Sequence, residues 1–210
     1  MNVLITGTSR GIGAALADAY RAGGAHVLAA ARHPTGDQVA FDVQSEADFE
    51  ALAKRLSGMS LDLLVCNAGI YNDKSLSIDA LEPQIWAEAF AVNVTGAFLT
   101  VRACLPALRR GAGKIALISS AMGSDARAPG GSYVYRASKA ALLNLGRNLA
   151  TDLDLPVGIY HPGWVQTQMG GAGAQITVAQ SVEGLLNRFE ALDAASSGQF
   201  LNYDGTPIPF

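Results

Sequence analysis

Val3-Leu4-Ile5-Thr6-Gly7-Thr8-Ser9-Arg10-Gly11-Ile12-Gly13, followed by Ala14-Ala15-Leu16-Ala17-Asp18-Ala19-Tyr20, decides the fold. The apolar run Val3-Leu4-Ile5 reads as a short buried strand, Gly7, Gly11 and Gly13 mark a turn, and the alanine-rich stretch after them reads as helix. Strand, glycine turn and helix in this order form a layout that receives a dinucleotide. Glycines let the backbone turn tightly and approach a pyrophosphate, and the free N–H groups and dipole of the helix start face its charge. A glycine pattern alone is weak evidence; the strand before it and the helix after it supply the context.

A second stretch carries chemistry. Tyr135-Arg136-Ala137-Ser138-Lys139 opens a proline-free segment with Ala140, Ala141, Leu142, Leu143, Leu145 and Leu149, so a helix is expected and the phenol and the ammonium share one face. A tyrosine with a pKa of about 10 is a poor acid or base near neutrality, and a cation beside it lowers that value. Tyr135 could then exchange a proton with an alcohol or carbonyl oxygen. Tyrosine and lysine at this spacing are equally an ordinary surface pair on a solvated helix, so the rest of the chain has to decide.

Composition narrows the choice. The chain has 210 residues, half of them hydrophobic, with 15 basic against 18 acidic side chains, which suits one well-buried α/β domain and offers no basic run for nucleic acid or an anionic membrane. No uninterrupted apolar run reaches the roughly 18 residues of a transmembrane helix, and the first residues lack a basic leader, so a soluble, cytoplasmic protein is expected. Two cysteines, Cys66 and Cys104, are too few for a disulfide scaffold or a zinc cluster, and no metal is expected.

The spacing Gly7-x-x-x-Gly11-x-Gly13, together with Tyr135 and Lys139, resembles the short-chain dehydrogenase/reductase family, from Thr6 to about Thr167. The resemblance implies a single Rossmann domain over residues 1–210, a doubly wound parallel sheet flanked by helices. Its cofactor half would be about residues 1–110, its catalytic and substrate half about 111–210, and a lid about 165–178. Gly7, Ser9, Arg10, Gly11, Ile12 and Gly13 would hold the pyrophosphate. The second strand, Ala25 to Ala31, ends in Arg32-His33, where NAD-binding chains carry an acid for the ribose hydroxyls. With Arg10 and Arg32 in place of that acid, NADP(H) is preferred over NAD(H), because a guanidinium fork suits a 2′-phosphate. Asp42 and Val43 would lie beside the adenine, although Asp42 could equally belong to the start of the next helix. Cys66-Asn67-Ala68-Gly69 matches the family's Asn-Asn-Ala-Gly except at its first position, and Asn67, Ala68 and Gly69 would line the ribose and brace the sheet. Pro162-Gly163, with Val165 and Thr167, resembles the element near the nicotinamide.

The same resemblance assigns four catalytic residues. Ser120 would bond the substrate oxygen, Tyr135 exchange its proton, Lys139 lower the tyrosine pKa and bind the ribose, and Asn93 hold a water leading to Lys139. Ser119 is the second candidate for the serine, since Ser120 precedes Tyr135 by about two more residues than the family usually shows. The extra length is assigned to the loop Ser124 to Gly131, where lengthening costs little entropy. A helix over about residues 83–107 is expected to begin at Pro83, to be disturbed by Pro106 and to bury Trp86 against its neighbour. His161 reads as structural rather than catalytic. The stretch Ser119-Ser120-Ala121-Met122-Gly123-Ser124 and the ending Phe200-Leu201-Asn202-Tyr203-Asp204-Gly205 are similar to the small C-factor-like members. The implied activity is reversible hydride transfer between a nicotinamide and a small carbonyl or alcohol substrate. The alternative is a sensor or signalling protein of the same fold with little turnover. The helices of Asn93 and Tyr135 would pack against a second subunit in a homodimer or homotetramer.

Overall fold

Strands buried on both faces need no polar alternation, and this chain's strands have none to speak of. In the computed structural model, which describes residues 1–210, Val3, Leu4 and Ile5 of β1 (Asn2–Thr6) are all fully buried. The other strands are β2 (His26–Ala31), β3 (Val39–Ala40), β4 (Leu63–Cys66), β5 (Lys114–Ile118), β6 (Val157–His161) and β7 (Phe200–Asn202). All pair in parallel, in the order β3-β2-β1-β4-β5-β6-β7. Val3 sits between Val27 and Leu63, so β1 lies at the point where the winding reverses. A ligand cleft opens there, beyond the carboxyl ends of β1 and β4.

Helices cover both faces. On one side α1 (Gly11–Ala22) and α6 (Val178–Ala191) bring Leu16, Leu185 and Phe189 onto Val3, Ile5 and Val65. On the other, α2 (Glu46–Arg55), α4 (Gly96–Gly111) and α5 (Tyr133–Asp152) bring Leu52, Leu108 and Leu142 onto Leu4, Leu64 and Leu117. This is the doubly wound sheet expected from the sequence.

Three expectations need correction. The helix placed at residues 83–107 is α3 (Pro83–Phe90), a π-turn over Ala91–Thr95, and α4, which continues past Pro106 to Gly111. Pro106 is exposed, so its ring and missing N–H disturb nothing packed on the sheet. The helix ends where Ala112 turns left-handed at φ 47° and the chain runs close under Leu61: a Cβ on Gly111 or Gly113 would lie 2.5 or 2.2 Å from the Leu61 carbonyl oxygen. Trp86 faces outward and stacks on Phe90 at 6.3 Å instead of packing between helices. The rod Pro83–Gly111 is long and apolar enough to span a membrane, yet half of its most apolar stretch is buried in this domain, as in a core helix.

Candidate active site

The glycine turn is built by close approach. Gly7 and Gly11 take φ values of 71° and 60°, which glycine alone adopts without cost. A Cβ on Gly13 would stand 2.3 Å from the Gly7 carbonyl oxygen, and one on Gly7 would stand 2.7 Å from the Ala68 Cα. Asn67 ties the turn together, its Nδ2 donating to the carbonyls of Thr6 at 2.9 Å and Gly7 at 3.1 Å. The Thr6 hydroxyl accepts from the Asn67 and Ala68 N–H groups, both at 3.1 Å. Both amide hydrogens of Asn67 are thus spent on bracing the turn. At the start of α1 Arg10 occupies the cap position and no side chain caps the first N–H groups. Ser9 and Arg10 are exposed beside Ile12, and Arg32 is exposed just beyond β2. Neither arginine is paired with a carboxylate; the ion pairs are Arg21 with Asp18 and Asp37, and Arg109 with Asp154. Uncapped N–H groups, a cradle that any Cβ would fill and two free guanidinium groups nearby fit a dinucleotide.

Asp42 lies in the turn just ahead of α2. Its Oδ1 accepts from the Gln44 N–H at 3.0 Å and its own N–H donates to Asp48 at 2.7 Å, while Ser45 caps α2. Val43 is buried and touches the face of Gly96, where a Cβ would lie 2.8 Å from the Val43 carbonyl oxygen.

The four residues assigned to chemistry come from three elements and converge. Tyr135 and Lys139 lie on the buried face of α5, 8% and 4% exposed, with the ammonium 5.7 Å from the phenol ring centre. Lys139 Nζ donates to the Ile118 carbonyl at 3.0 Å. Of the two serines after β5, Ser119 donates to the Lys139 carbonyl at 3.2 Å. The Ser120 hydroxyl faces the Tyr135 phenol and accepts from the Met122 N–H at 3.1 Å. Asn93 sits in the π-turn, fully buried. Its amide bonds both backbone groups of Ile70, at 2.8 and 3.0 Å, and donates to Ser138 at 2.9 Å. The amide is thus engaged with Ile70 and Ser138 and not with Lys139. A Cβ on Gly69 would stand 3.2 Å from Asn93 Oδ1 and 3.5 Å from Lys139 Nζ, so the glycine keeps a gap between the two groups.

The electrostatics differ from expectation. Burial pushes the Tyr135 phenol up to about 12, against a smaller downward pull from Ser120 and with Tyr71 and Asp73 adding to the rise. Burial depresses the neighbouring Lys139 ammonium as well, to about 8. Desolvation, which penalises whichever form is charged, outweighs the cation's attraction. His161 is also driven down, to about 4, by burial first and by the Arg127 and Lys139 charges, with Asp204 opposing.

The stretch after β6 lies across the cleft. Ser181 donates to the Pro162 carbonyl at 2.6 Å, and Gly163 turns at φ 88° with its face closed by Ile176. Val165 is buried and bridges to Ile176. Thr167 accepts from the Gly170 N–H at 3.1 Å and reaches the face of Gly11. A cleft of about 260 Å³ is left between this stretch and the glycine turn, walled by Arg10, Gly69, Ile70, Tyr71, Gln168 and Met169. A roomier polar hollow of about 360 Å³ around Arg147, Asn148 and Ser197 contains none of these residues.

Sequence reasoning missed the segment Tyr71–Lys74. Tyr71 stacks on Tyr135, ring centres 4.2 Å apart and planes 19° from parallel, and its hydroxyl bonds Ser132. Asp73, 1% exposed, accepts from the N–H groups of Val134 at 2.8 Å and Tyr135 at 3.2 Å. Asn72 holds α3 through Ile85 and Glu88, and Lys74 donates to the Met169 carbonyl at 2.9 Å. No periodicity marks these residues, and the partners of Tyr71 and Asp73 lie about 61 positions away. The only signal was an aspartate and a tyrosine close behind the Asn-Ala-Gly turn.

Known proteins agree with this geometry. The family model described as short chain dehydrogenase matches residues 1–175. The chain is 38% identical to C-signal of Myxococcus xanthus, over 76% of this chain and 99% of that protein. It is 34% identical to 1-hydroxy-2-glutathionyl-2-methyl-3-butene dehydrogenase of Rhodococcus sp. strain AD45, over 97% of both. Among solved structures, the NADPH-bound carbonyl reductase from chicken fatty liver is 31% identical and superposes with a TM-score of 0.91, covering 100% of this chain and 98% of that one. With the matched region spanning the glycine turn, Asn93, Ser120, Tyr135 and Lys139, the chain belongs to the short chain dehydrogenase family.

Proposed function

We propose that the protein is an NADP(H)-dependent oxidoreductase that interconverts a carbonyl and an alcohol, with Tyr135 as the proton-exchanging group. The observation that carries this reading is the convergence of Ser120, Tyr135 and Lys139 beside the cleft behind the glycine turn. Unpaired Arg10 and Arg32 favour the extra phosphate of NADP, and a carbonyl reductase of Pseudomonas aeruginosa in complex with NADP superposes with a TM-score of 0.87 at 31% identity.

A reduced nicotinamide dinucleotide, which the glycine turn with Arg10 and Arg32 would hold, would supply the hydride. The protein's own residues handle the oxygen. Ser120 donates a hydrogen bond to the substrate carbonyl oxygen and polarises it. Tyr135, protonated throughout the neutral range because burial holds its pKa near 12, delivers its proton as that oxygen becomes an alkoxide. Lys139, an ammonium below about pH 8, then stands 5.7 Å from the ring centre of the phenolate left behind and stabilises it. Asn93 holds both backbone groups of Ile70 and bonds Ser138, one residue before Lys139 on α5. A phenol held protonated is suited to the reductive direction.

C-signal is named as a signal, and its likeness to this chain favours a second reading, a nucleotide sensor with little turnover. One experiment separates the two: fluorescence titration with NADPH and NADH, then a panel of aldehydes, ketones and quinones followed by loss of reduced-nicotinamide absorbance. The reductase reading expects tighter NADPH binding, and turnover that falls about 10²- to 10⁴-fold in Tyr135→Phe. Binding without turnover on the whole panel supports the sensor. Full activity in Tyr135→Phe removes the tyrosine from the mechanism.

A further inference from the structure

A helix start leaves its first N–H groups without partners, and those of α5 are met from far along the chain. The residue at the cap position, Ser132, adopts a left-handed φ of 50° and caps nothing with its side chain. Asp73 does the capping from the loop behind β4, with one carboxylate oxygen on the Val134 N–H and the other on that of Tyr135 itself. Its neighbour Tyr71 covers one face of the Tyr135 ring and is anchored by the same Ser132. Two residues of one short loop therefore grip both the backbone and the side chain of the tyrosine.

We propose that Asp73 and Tyr71 are positioning residues for Tyr135: Asp73 fixes the helix turn that carries the phenol and sets a carboxylate beside it, and Tyr71 closes one ring face so that the phenol is approached from the Ser120 side. This rests on Tyr135 being the reacting group.

The charges around the phenol are of both signs. On α5 itself lies Lys139, with Arg136 turned away onto the carbonyls of Gly131, Met122 and Arg127. From the loop after β4 come Asp73 and the Tyr71 hydroxyl, and from the stretch after β5 the Ser120 hydroxyl. From α3, Glu88 is held by Asn72, and at the end of β6 His161 feels the Lys139 charge. Asp73 is the one carboxylate that bonds the Tyr135 backbone, and its charge opposes formation of the phenolate. Lys74, next along, bonds the Met169 carbonyl, so the same loop also ties down the stretch that covers the cleft.

The test reads the phenol directly. Tyrosinate absorbance is titrated in the parent and in Asp73→Asn, each against its own Tyr135→Phe background, which isolates the Tyr135 signal. Asn keeps an acceptor for one of the two helix N–H groups, gives up the other bond and removes the charge. Tyr135 should ionise at lower pH in Asp73→Asn, while the KM for NADPH changes less than threefold. An unchanged Tyr135 titration in a folded Asp73→Asn protein overturns the charge role. Should that variant fail to fold, Tyr71→Ala decides: nitration of Tyr135 by tetranitromethane, followed by peptide mass analysis, should be at least fivefold faster than in the parent, with Tyr71→Phe restoring protection. Equal nitration in parent and Tyr71→Ala overturns the proposal. Both optical and chemical readouts work on a protein with no turnover, so loss of the reductase reading and loss of this one are separate outcomes.

Discussion

His161 joins the sheet to the site, and its chemistry is set by burial. It ends β6 opposite Asn202, and both its Nδ1 and the Asn202 Oδ1 are buried without a hydrogen-bond partner. An imidazole that titrates near 6.5 when unfolded and near 4 when folded leaves the unfolded chain binding more protons between those values. The neutral ring's contribution is therefore full above pH 6.5 and lost as pH falls towards 4, about 3 kcal/mol in all. Denaturant midpoints at pH 7, 5 and 4 should fall in the parent and fall less in His161→Gln; parallel losses in the two proteins would rule this out. At this scale the sequence told much. Ser119 and Ser120 were both legible as candidates, but which hydroxyl turns towards Tyr135 depends on the Lys139 carbonyl, which takes Ser119. The sign of the Tyr135 shift was misread because spacing along a helix shows a neighbouring cation and not the depth of burial.

At the scale of elements, the strands and the glycine turn were readable because each is local: a continuous apolar run, then glycines at fixed offsets, then helix formers. The π-turn at Ala91–Thr95 was not. One additional residue in a helical ladder leaves no trace in composition, and it matters because it accommodates the buried Asn93 next to Ile70. Asn93→Ala strips both backbone groups of Ile70 of their partner, and a loss of roughly 2–4 kcal/mol is expected from groups left unsatisfied in the interior. Urea unfolding measures it. A variant as stable as the parent would mean that Ile70 finds other partners. The cap on α5 was equally hidden, since Asp73 reaches it from another loop through tertiary structure alone.

At the scale of the whole molecule, the long helical rod exposes aromatic side chains to solvent. Trp86, Phe90 and Phe98 follow one another along the outer side of the rod Pro83–Gly111, with Phe98 40% exposed and Trp86 37%. We propose that this strip is where two copies of the chain meet, in keeping with the homodimer or homotetramer anticipated from the sequence. Sedimentation should find the parent associated and Phe98→Glu dissociated, with NADPH titration unaltered; a monomeric parent would dispose of the proposal. The sheet itself invites no such joining. Its two rims are its shortest strands, β3 with two residues and β7 with three. Beyond β7 the chain doubles back, so that Asn202 donates to Thr206 at 2.8 Å, Ile208 donates to Phe200 at 2.9 Å and Pro207 lies opposite Leu201. A rim this brief, already hydrogen-bonded on its outer side and faced by a residue with no N–H, gives a foreign strand almost nothing to template on. At the β7 rim the protein is thereby guarded against edge-to-edge aggregation.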